Sequence, residues 1–94
     1  MNDILNKKIK LEQEINNSIW ENFQIGLIYK FQNGKDLWIN GNTHFNYEVD
    51  IIEEKLVLKL FPNGQDFFIE LKYGEILYLQ DTKQNFELRL KTKL

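Results

Sequence analysis

The chain has 94 residues with 12 basic and 14 acidic side chains, a formal net charge of −2, and no cysteine. This length favours one domain over residues 1–94, and the absence of cysteine excludes disulfides and thiol chemistry. The charge balance argues against electrostatic binding to nucleic acid, which needs a basic surplus. The first residues lack the apolar run of a signal peptide, and no stretch approaches the ~18 apolar residues of a membrane span. We therefore expect a cytoplasmic protein without a membrane segment.

Residues 3–23 are predicted to form one amphipathic helix. At about 100° per residue, its apolar side chains fall on one side and its polar side chains on the other. The apolar set is Ile4, Leu5, Leu11, Ile15, Ile19 and Phe23. Asn2 or Asp3 can cap the start of this helix. Ser18, the only serine, falls inside it and is given no role.

Beyond the helix the hydrophobic period changes to two, which predicts six or seven strands. They cover about residues 24–32, 36–41, 44–52, 55–61, 66–72, 75–80 and 85–92. Asn33-Gly34 predicts a tight hairpin that places Trp38 beside Tyr29. Strand 85–92 alternates apolar with charged side chains, a pattern that suits a sheet edge.

The strand at residues 75–80 allows two orientations. A two-residue turn at Tyr73-Gly74 would bury Ile76 and Tyr78, whereas a glycine bulge would bury the alternate pair. That alternate pair is Leu77 and Leu79.

The clearest fold signal is the meander over residues 45–71. Turns at Glu53-Glu54 and at Asn63-Gly64, the second of type I′, agree on one register that puts the apolar side chains of three strands on one face. The predicted pairs are Tyr47 with Leu60, Val49 with Leu58, Ile51 with Leu56, Leu60 with Phe67, Leu58 with Ile69, and Leu56 with Leu71. A slip of one residue would turn all of these side chains to water.

These elements predict an α+β fold, with an N-terminal amphipathic helix packed on a curled antiparallel β-meander of six or seven strands. A helix is only about 10 Å across, whereas such a sheet is about 30 Å wide. The sheet must therefore curl around the helix, or another chain must cover part of its apolar face.

Four acidic residues at one meander turn are candidate partner-binding residues. They are Glu48, Asp50, Glu53 and Glu54. They would suit a basic surface on a partner. The competing interpretation is an ordinary solvated turn, with Glu48 neutralised by the facing Lys59 and Glu70 diagonal to that lysine.

Val57, Phe61 and Phe68 are the apolar candidates for partner binding. The predicted register places all three on the outer face, where a contiguous apolar patch would mark a contact surface. The alternative is that each is a single exposed apolar residue of the common kind.

His44 is the only histidine and the one candidate for acid–base chemistry. No nucleophile or second metal ligand lies near it in the sequence. We expect its side chain to be solvated, and we predict no catalytic residue, no metal and no cofactor.

The leading functional hypothesis is a small non-enzymatic protein-binding module, such as an inhibitor, immunity-type or adaptor protein, with another protein as partner. A homodimer through a sheet edge or face is compatible with this hypothesis. The alternative is a carrier whose cavity, between helix and curled sheet, holds a small apolar ligand against Tyr29, Trp38, Tyr47 and core leucines. An enzyme that depends on His44 is the remote alternative.

Overall fold

The computed structural model describes residues 3–62 and 64–94, which form one helix and eight strands. Helix α1 is Asp3–Ile15. The strands are β1 (Ser18–Asn22), β2 (Leu27–Gln32), β3 (Asp36–Ile39), β4 (Thr43–Ile52), β5 (Lys55–Phe61), β6 (Asp66–Lys72), β7 (Ile76–Gln80) and β8 (Asn85–Lys93). Each strand pairs antiparallel with the next, and β1 also pairs with β8, so the sheet closes into a barrel. An N-terminal helix on an antiparallel sheet in one small domain is therefore confirmed. The described residues form eight strands where six or seven were predicted, and the sheet, predicted to be a curled meander, closes into a barrel.

The predicted helix over residues 3–23 was wrong at its C-terminal end, because α1 ends at Ile15. Asn17 adopts a left-handed backbone with φ of 53°, a conformation that asparagine tolerates and that commonly ends a helix. The chain then runs extended through β1, where Ser18 and Trp20 are buried. Phe23, placed on the apolar helix face by the sequence, is 83% exposed. The proposed cap Asn2 lies outside the described residues.

Strand β1 is the element that closes the barrel. It pairs with β2 on one side and with β8 on the other, so β8 is not the edge strand that its alternating charges predicted. Because the sheet is closed, it covers its own apolar face. No second chain is needed to cover the part of the sheet that is wider than the helix.

Three hairpins share a turn of two residues at positive φ followed by one extra residue. Their central pairs are Asn33-Gly34, Asn40-Gly41 and Tyr73-Gly74. In the first, Lys35 is the extra residue, so that Trp38 pairs with Lys30 and not with Tyr29. The predicted Trp38 position was therefore wrong by one residue, which sends its ring to the outer face.

The same turn decides the orientation of β7. The extra residue Glu75 follows Tyr73-Gly74, and Lys72 pairs with Ile76. Leu77 and Leu79 are consequently buried, as the glycine-bulge alternative predicted.

In the central meander the Glu53-Glu54 turn has the predicted register, with Val49 opposite Leu58. Between β5 and β6 the register was wrong by two residues, since Leu58 pairs with Phe67. The predicted register needs an N–H on Pro62 to bond across the turn, and proline has none. A two-residue shift keeps the same side chains inside. Asn63, half of the predicted type I′ pair, lies outside the described residues.

The barrel interior is filled by side chains from α1 and from every strand. Fifteen buried residues form one cluster: Leu11, Ile15, Trp20, Tyr29, Phe31, Leu37, Tyr47, Val49, Leu58, Leu60, Phe67, Ile69, Leu77, Leu79 and Leu88. Phe31 and Tyr47 meet edge to face with ring centroids 5.0 Å apart, a favoured aromatic geometry. Leu11 and Ile15 bring α1 across the barrel end that carries the 33–35 and 53–54 turns. The helix is neither long nor apolar enough to cross a membrane.

Hydrogen bonds fix the end of α1 to the barrel. Asn16 Oδ1 accepts from Gly34 N at 2.8 Å, and Asn17 Oδ1 accepts from Asn33 N at 3.1 Å. Lys93 Nζ donates to Glu14 Oε2 at 2.7 Å. The helix therefore has a defined position relative to the wall that forms the candidate site.

Candidate binding groove

The barrel wall is least complete between β5 and β6. Both strands have seven residues, yet their ladder contains three pairs, whereas seven pairs join β4 to β5. The three are Val57 with Phe68, Leu58 with Phe67, and Lys59 with Asp66. Beyond Val57 and Phe68 no further pair joins the two strands, so residues 55–56 of β5 and 69–72 of β6 have no ladder pair on the sides that face each other in the described part of the chain. We name this opening the seam.

Backbone polar groups of β6 face the seam. In an antiparallel sheet, successive residues direct their N–H and C=O groups to opposite sides. Lys72 bonds on the β7 side, since its C=O accepts from Glu75 N at 3.2 Å. By alternation, Ile69 and Leu71 direct their N–H and C=O groups toward β5. The pair of Val57 with Phe68 is completed by a bond from Ile69 N to Leu56 O, so Ile69 C=O and both backbone groups of Leu71 lie beyond the end of the ladder. The seam thus presents strand backbone that is ready to pair.

An open cleft of about 860 Å³ lies over the seam, between α1 and β6. Its floor is apolar and is formed by Leu11, Leu56, Ile69 and Leu71. Phe68 stands at its rim and is 46% exposed. We name this cleft the seam groove.

Lysines sit on two sides of the seam groove. Lys7 and Lys10 project from α1, and Lys55 lies at the start of β5 with Nζ 5.2 Å from the centre of the Phe68 ring. None of the three forms an ion pair among residues 3–62 and 64–94.

The acidic side chains of the groove are partly neutralised. Glu14 bonds to Lys93, and this hydrogen bond and charge hold the pKa of Glu14 below its ordinary value. Glu70 Oε1 lies 3.9 Å from Lys72 Nζ. Glu54 is the remaining carboxylate on the rim, so the side-chain charge without an ion-pair partner there is mainly positive.

The predicted apolar candidates take different positions. Val57 is 3% exposed, because it is enclosed between Asp50 and Phe68 in the neighbouring strands. Phe61 is 39% exposed at the far end of β5, opposite Asn46. Of these candidates, Phe68 alone belongs to the seam groove.

The predicted acidic candidates also separate. Glu48 pairs with Lys59 as predicted, but the lysine Nζ lies 3.6 Å from Asp50 Oδ2. The shifted register puts Asp66 beside Lys59, so the expected diagonal position of Glu70 was wrong. Glu53 and Glu54 form the turn with φ of 51° and 62°, and Glu54 lines the groove.

A second open cleft of about 670 Å³ lies on the other side of Phe68. Ile52 and Val57 contribute apolar surface, and Asp81 and Lys83 come from the loop after β7. Two backbone N–H groups donate to Asp81 Oδ1 at 2.7 and 2.8 Å and lower the pKa of this carboxyl. Phe68 therefore forms a ridge between two clefts.

His44 lies on the outer wall at β4, away from both clefts. Its Nε2 is 3.0 Å from Asp36 Oδ1, and its ring centre is 4.8 Å from that of Trp38. The side chain is exposed, as expected. No group of three metal-ligating side chains occurs in residues 3–62 and 64–94.

The side chains predicted to line a cavity, under the alternative hypothesis of a ligand carrier, do not all lie together. Trp38 lies outside the barrel and is 37% exposed, whereas Tyr29 and Tyr47 are packed in the core. Burial raises the pKa of each tyrosine to about 12.

Sequence reasoning missed most of the groove, notably Lys7, Lys10, Lys55, Ile69 and Leu71. Their residue types carried no signal, because the groove arises where two strands of equal length fail to pair fully. The one cue was Pro62, whose missing N–H is incompatible with a tight turn after β5. Comparison of the chain with models of protein families, with curated proteins and with solved structures returned no match.

Proposed function

We propose that this chain is a small non-enzymatic protein-binding module whose contact surface is the seam groove with the Phe68 ridge. The observation that carries the proposal is the short ladder between β5 and β6. Closure of a barrel removes sheet edges, and the seam reintroduces one over an apolar floor.

The chemistry of the groove favours a protein over a small molecule. Protein interfaces combine an apolar centre with a polar rim and are enriched in aromatic side chains. The groove has the apolar floor described above, a charged rim, and Phe68 and Tyr78 beside it. Small-ligand sites instead bury most of their ligand in an enclosed pocket, and the interior of this barrel is occupied by core side chains.

The width of the sheet does not support a partner. The sequence suggested a sheet too wide for one helix to cover, but the closed barrel covers its own inner face. The proposal therefore depends on the seam groove and not on an uncovered sheet.

The test compares two charged substitutions of similarly exposed aromatic residues. Phe68→Glu alters the ridge, and Trp38→Glu alters the outer wall between β2 and β4, outside both clefts. Each tagged variant and the wild type are used to capture partners from lysate of the native host, followed by affinity measurement with the purified partner. We expect Phe68→Glu to weaken binding by about thirtyfold, as for a hot-spot residue, and Trp38→Glu to leave it unchanged.

Circular dichroism of both variants controls for folding, and we expect each to change the free energy of unfolding by about 1 kcal/mol or less. A partner that binds both variants as tightly as the wild type would refute the proposed surface. So would a partner that only Trp38→Glu releases.

A further inference from the structure

We infer that the seam receives an extended, acidic segment of the partner protein, which adds as a strand beside β6. This inference rests on the proposed function and specifies the chemistry of the partner. Its three supports are the backbone groups that face the seam, the alternation of side chains around it, and the unpaired lysines on its rim.

The backbone of β6 is a preorganised template for strand addition. Its other side is held by five consecutive pairs with β7, from Phe68 with Gln80 to Lys72 with Ile76. The C=O of Ile69 and the N–H and C=O groups of Leu71 are therefore held in strand geometry while they face the seam. An added strand would bond to these three groups, in the way that extended peptides bind exposed sheet edges.

Side chains on either face of an added strand would meet different surroundings. Successive side chains of a strand point to opposite faces. One set would contact the apolar floor at Leu11 and Leu56, and the other would lie beside Phe68 and Tyr78. A segment with apolar residues at alternate positions fits this arrangement.

The rim charges specify the remaining positions of the segment. Lys7 and Lys10 flank the groove from α1, and Lys55 flanks it from β5. Carboxylates at the positions between the apolar residues would face these ammonium groups, which lack carboxylate partners in the described part of the chain. A second copy of this chain fits less well, because Arg89, Lys91 and Lys93 make its last strand basic.

Four blocked hexapeptides test the mode of binding on the full chain. The first alternates glutamate with valine, and the second alternates lysine with valine. The third and fourth are glutamate–valine peptides N-methylated either on every glutamate or on every valine. Because an added strand pairs through one edge, N-methylation should abolish binding in one of these two isomers and spare the other.

The readout is the amide spectrum and amide hydrogen exchange of the ¹⁵N-labelled chain at low salt. We expect the glutamate–valine peptide to shift the amides of Ile69 and Leu71 and to slow the exchange of the Leu71 amide about tenfold at saturation. The lysine–valine peptide should shift neither. Lys7→Glu combined with Lys10→Glu should lower the affinity for the glutamate–valine peptide about fivefold or more. Lys30→Glu on the far wall should leave that affinity unchanged.

Several outcomes would overturn strand addition. They are equal binding of both N-methylated isomers, equal binding of the acidic and basic peptides, shifts centred away from β6, and no binding of the glutamate–valine peptide at millimolar concentration. If any of these occurs while Phe68→Glu still releases the natural partner, strand addition is wrong and the proposed function stands. If Phe68→Glu leaves the partner bound, the proposed function itself fails.

Discussion

Ser18 is expected to be worth far more to stability than a serine on a helix surface. Its hydroxyl donates to Ile15 O at the end of α1 and accepts from Trp20 Nε1 at 2.7 Å. Ser18, Ile15 and Trp20 are all fully buried. The hydroxyl therefore satisfies two core groups at once, at the point where the helix passes into the closing strand.

The cost of Ser18→Ala follows from the two bonds that it removes. Losing the bond to Ile15 O costs about 0.5–1.5 kcal/mol, and leaving the indole N–H of Trp20 buried without an acceptor costs about 1–3 kcal/mol. We expect a total of about 2–4 kcal/mol, a large part of the roughly 5–14 kcal/mol available to a chain of this length. In a Trp20→Phe background the orphaned N–H is absent, so Ser18→Ala should cost only about 1 kcal/mol.

Urea denaturation of the wild type, both single variants and the double variant, followed by far-ultraviolet circular dichroism, measures this coupling as a double-mutant cycle. The expected coupling free energy is about 1–3 kcal/mol. Trp20→Phe alone also leaves a cavity, but the cycle removes that term from the coupling. The free energy of unfolding lost by Ser18→Ala could instead be the same with tryptophan and with phenylalanine at position 20, to within about 0.5 kcal/mol. In that case the bond between Ser18 and Trp20 does not stabilise the core.

Three further predictions follow from the register, a turn and the buried tyrosines. Leu37→Ala should cost about 2–5 kcal/mol because Leu37 is fully buried, whereas Trp38→Ala on the outer face should cost about 1 kcal/mol; urea titration with the reverse order would disprove the assigned register. Gly34→Ala should lower stability by about 1–2 kcal/mol through backbone strain, because φ is +68° although the site has room for a methyl group; an unchanged melting temperature would contradict this. Burial raises the pKa of Tyr29 and Tyr47 from 10.0 to about 12, so the unfolded state loses these protons first and stability should fall as pH rises from about 10 to about 12. The double substitution Tyr29→Phe and Tyr47→Phe should flatten that fall in urea titrations, and an equally steep fall would show that other groups cause it.

Local turn chemistry explains why much of the fold could be predicted. Glu53-Glu54 fixed the register of β4 on β5, and the bounds of β5 at residues 55–61 and of β6 at residues 66–72 agree with the sequence pattern. The extra residue after Asn33-Gly34 could not be read from the sequence, because a turn with or without it uses the same central pair. One added residue then reversed the faces of Leu37 and Trp38.

The candidate site could be predicted only in small part. Glu54 and Phe68 were named from the sequence and line the groove, but they were chosen as members of a charge cluster and an apolar patch. The seam itself depends on how far two strands stay paired, which is a property of the barrel as a whole.

By itself, the sequence determined an amphipathic N-terminal helix, the alternation of the strands, and which meander side chains face the core. These features depend on contacts between near neighbours and on a side-chain period that one residue of slippage would destroy. Only the tertiary structure decided that residues 18–22 form a strand and not the end of a helix. Ile15, Ile19 and Phe23 are four residues apart, a spacing that fits a helix, and the strand forms because β2 and β8 pair with β1. Closure of the barrel pairs each strand with a neighbour on both sides, and the pairing is shortest at the seam, where the ladder between β5 and β6 ends early.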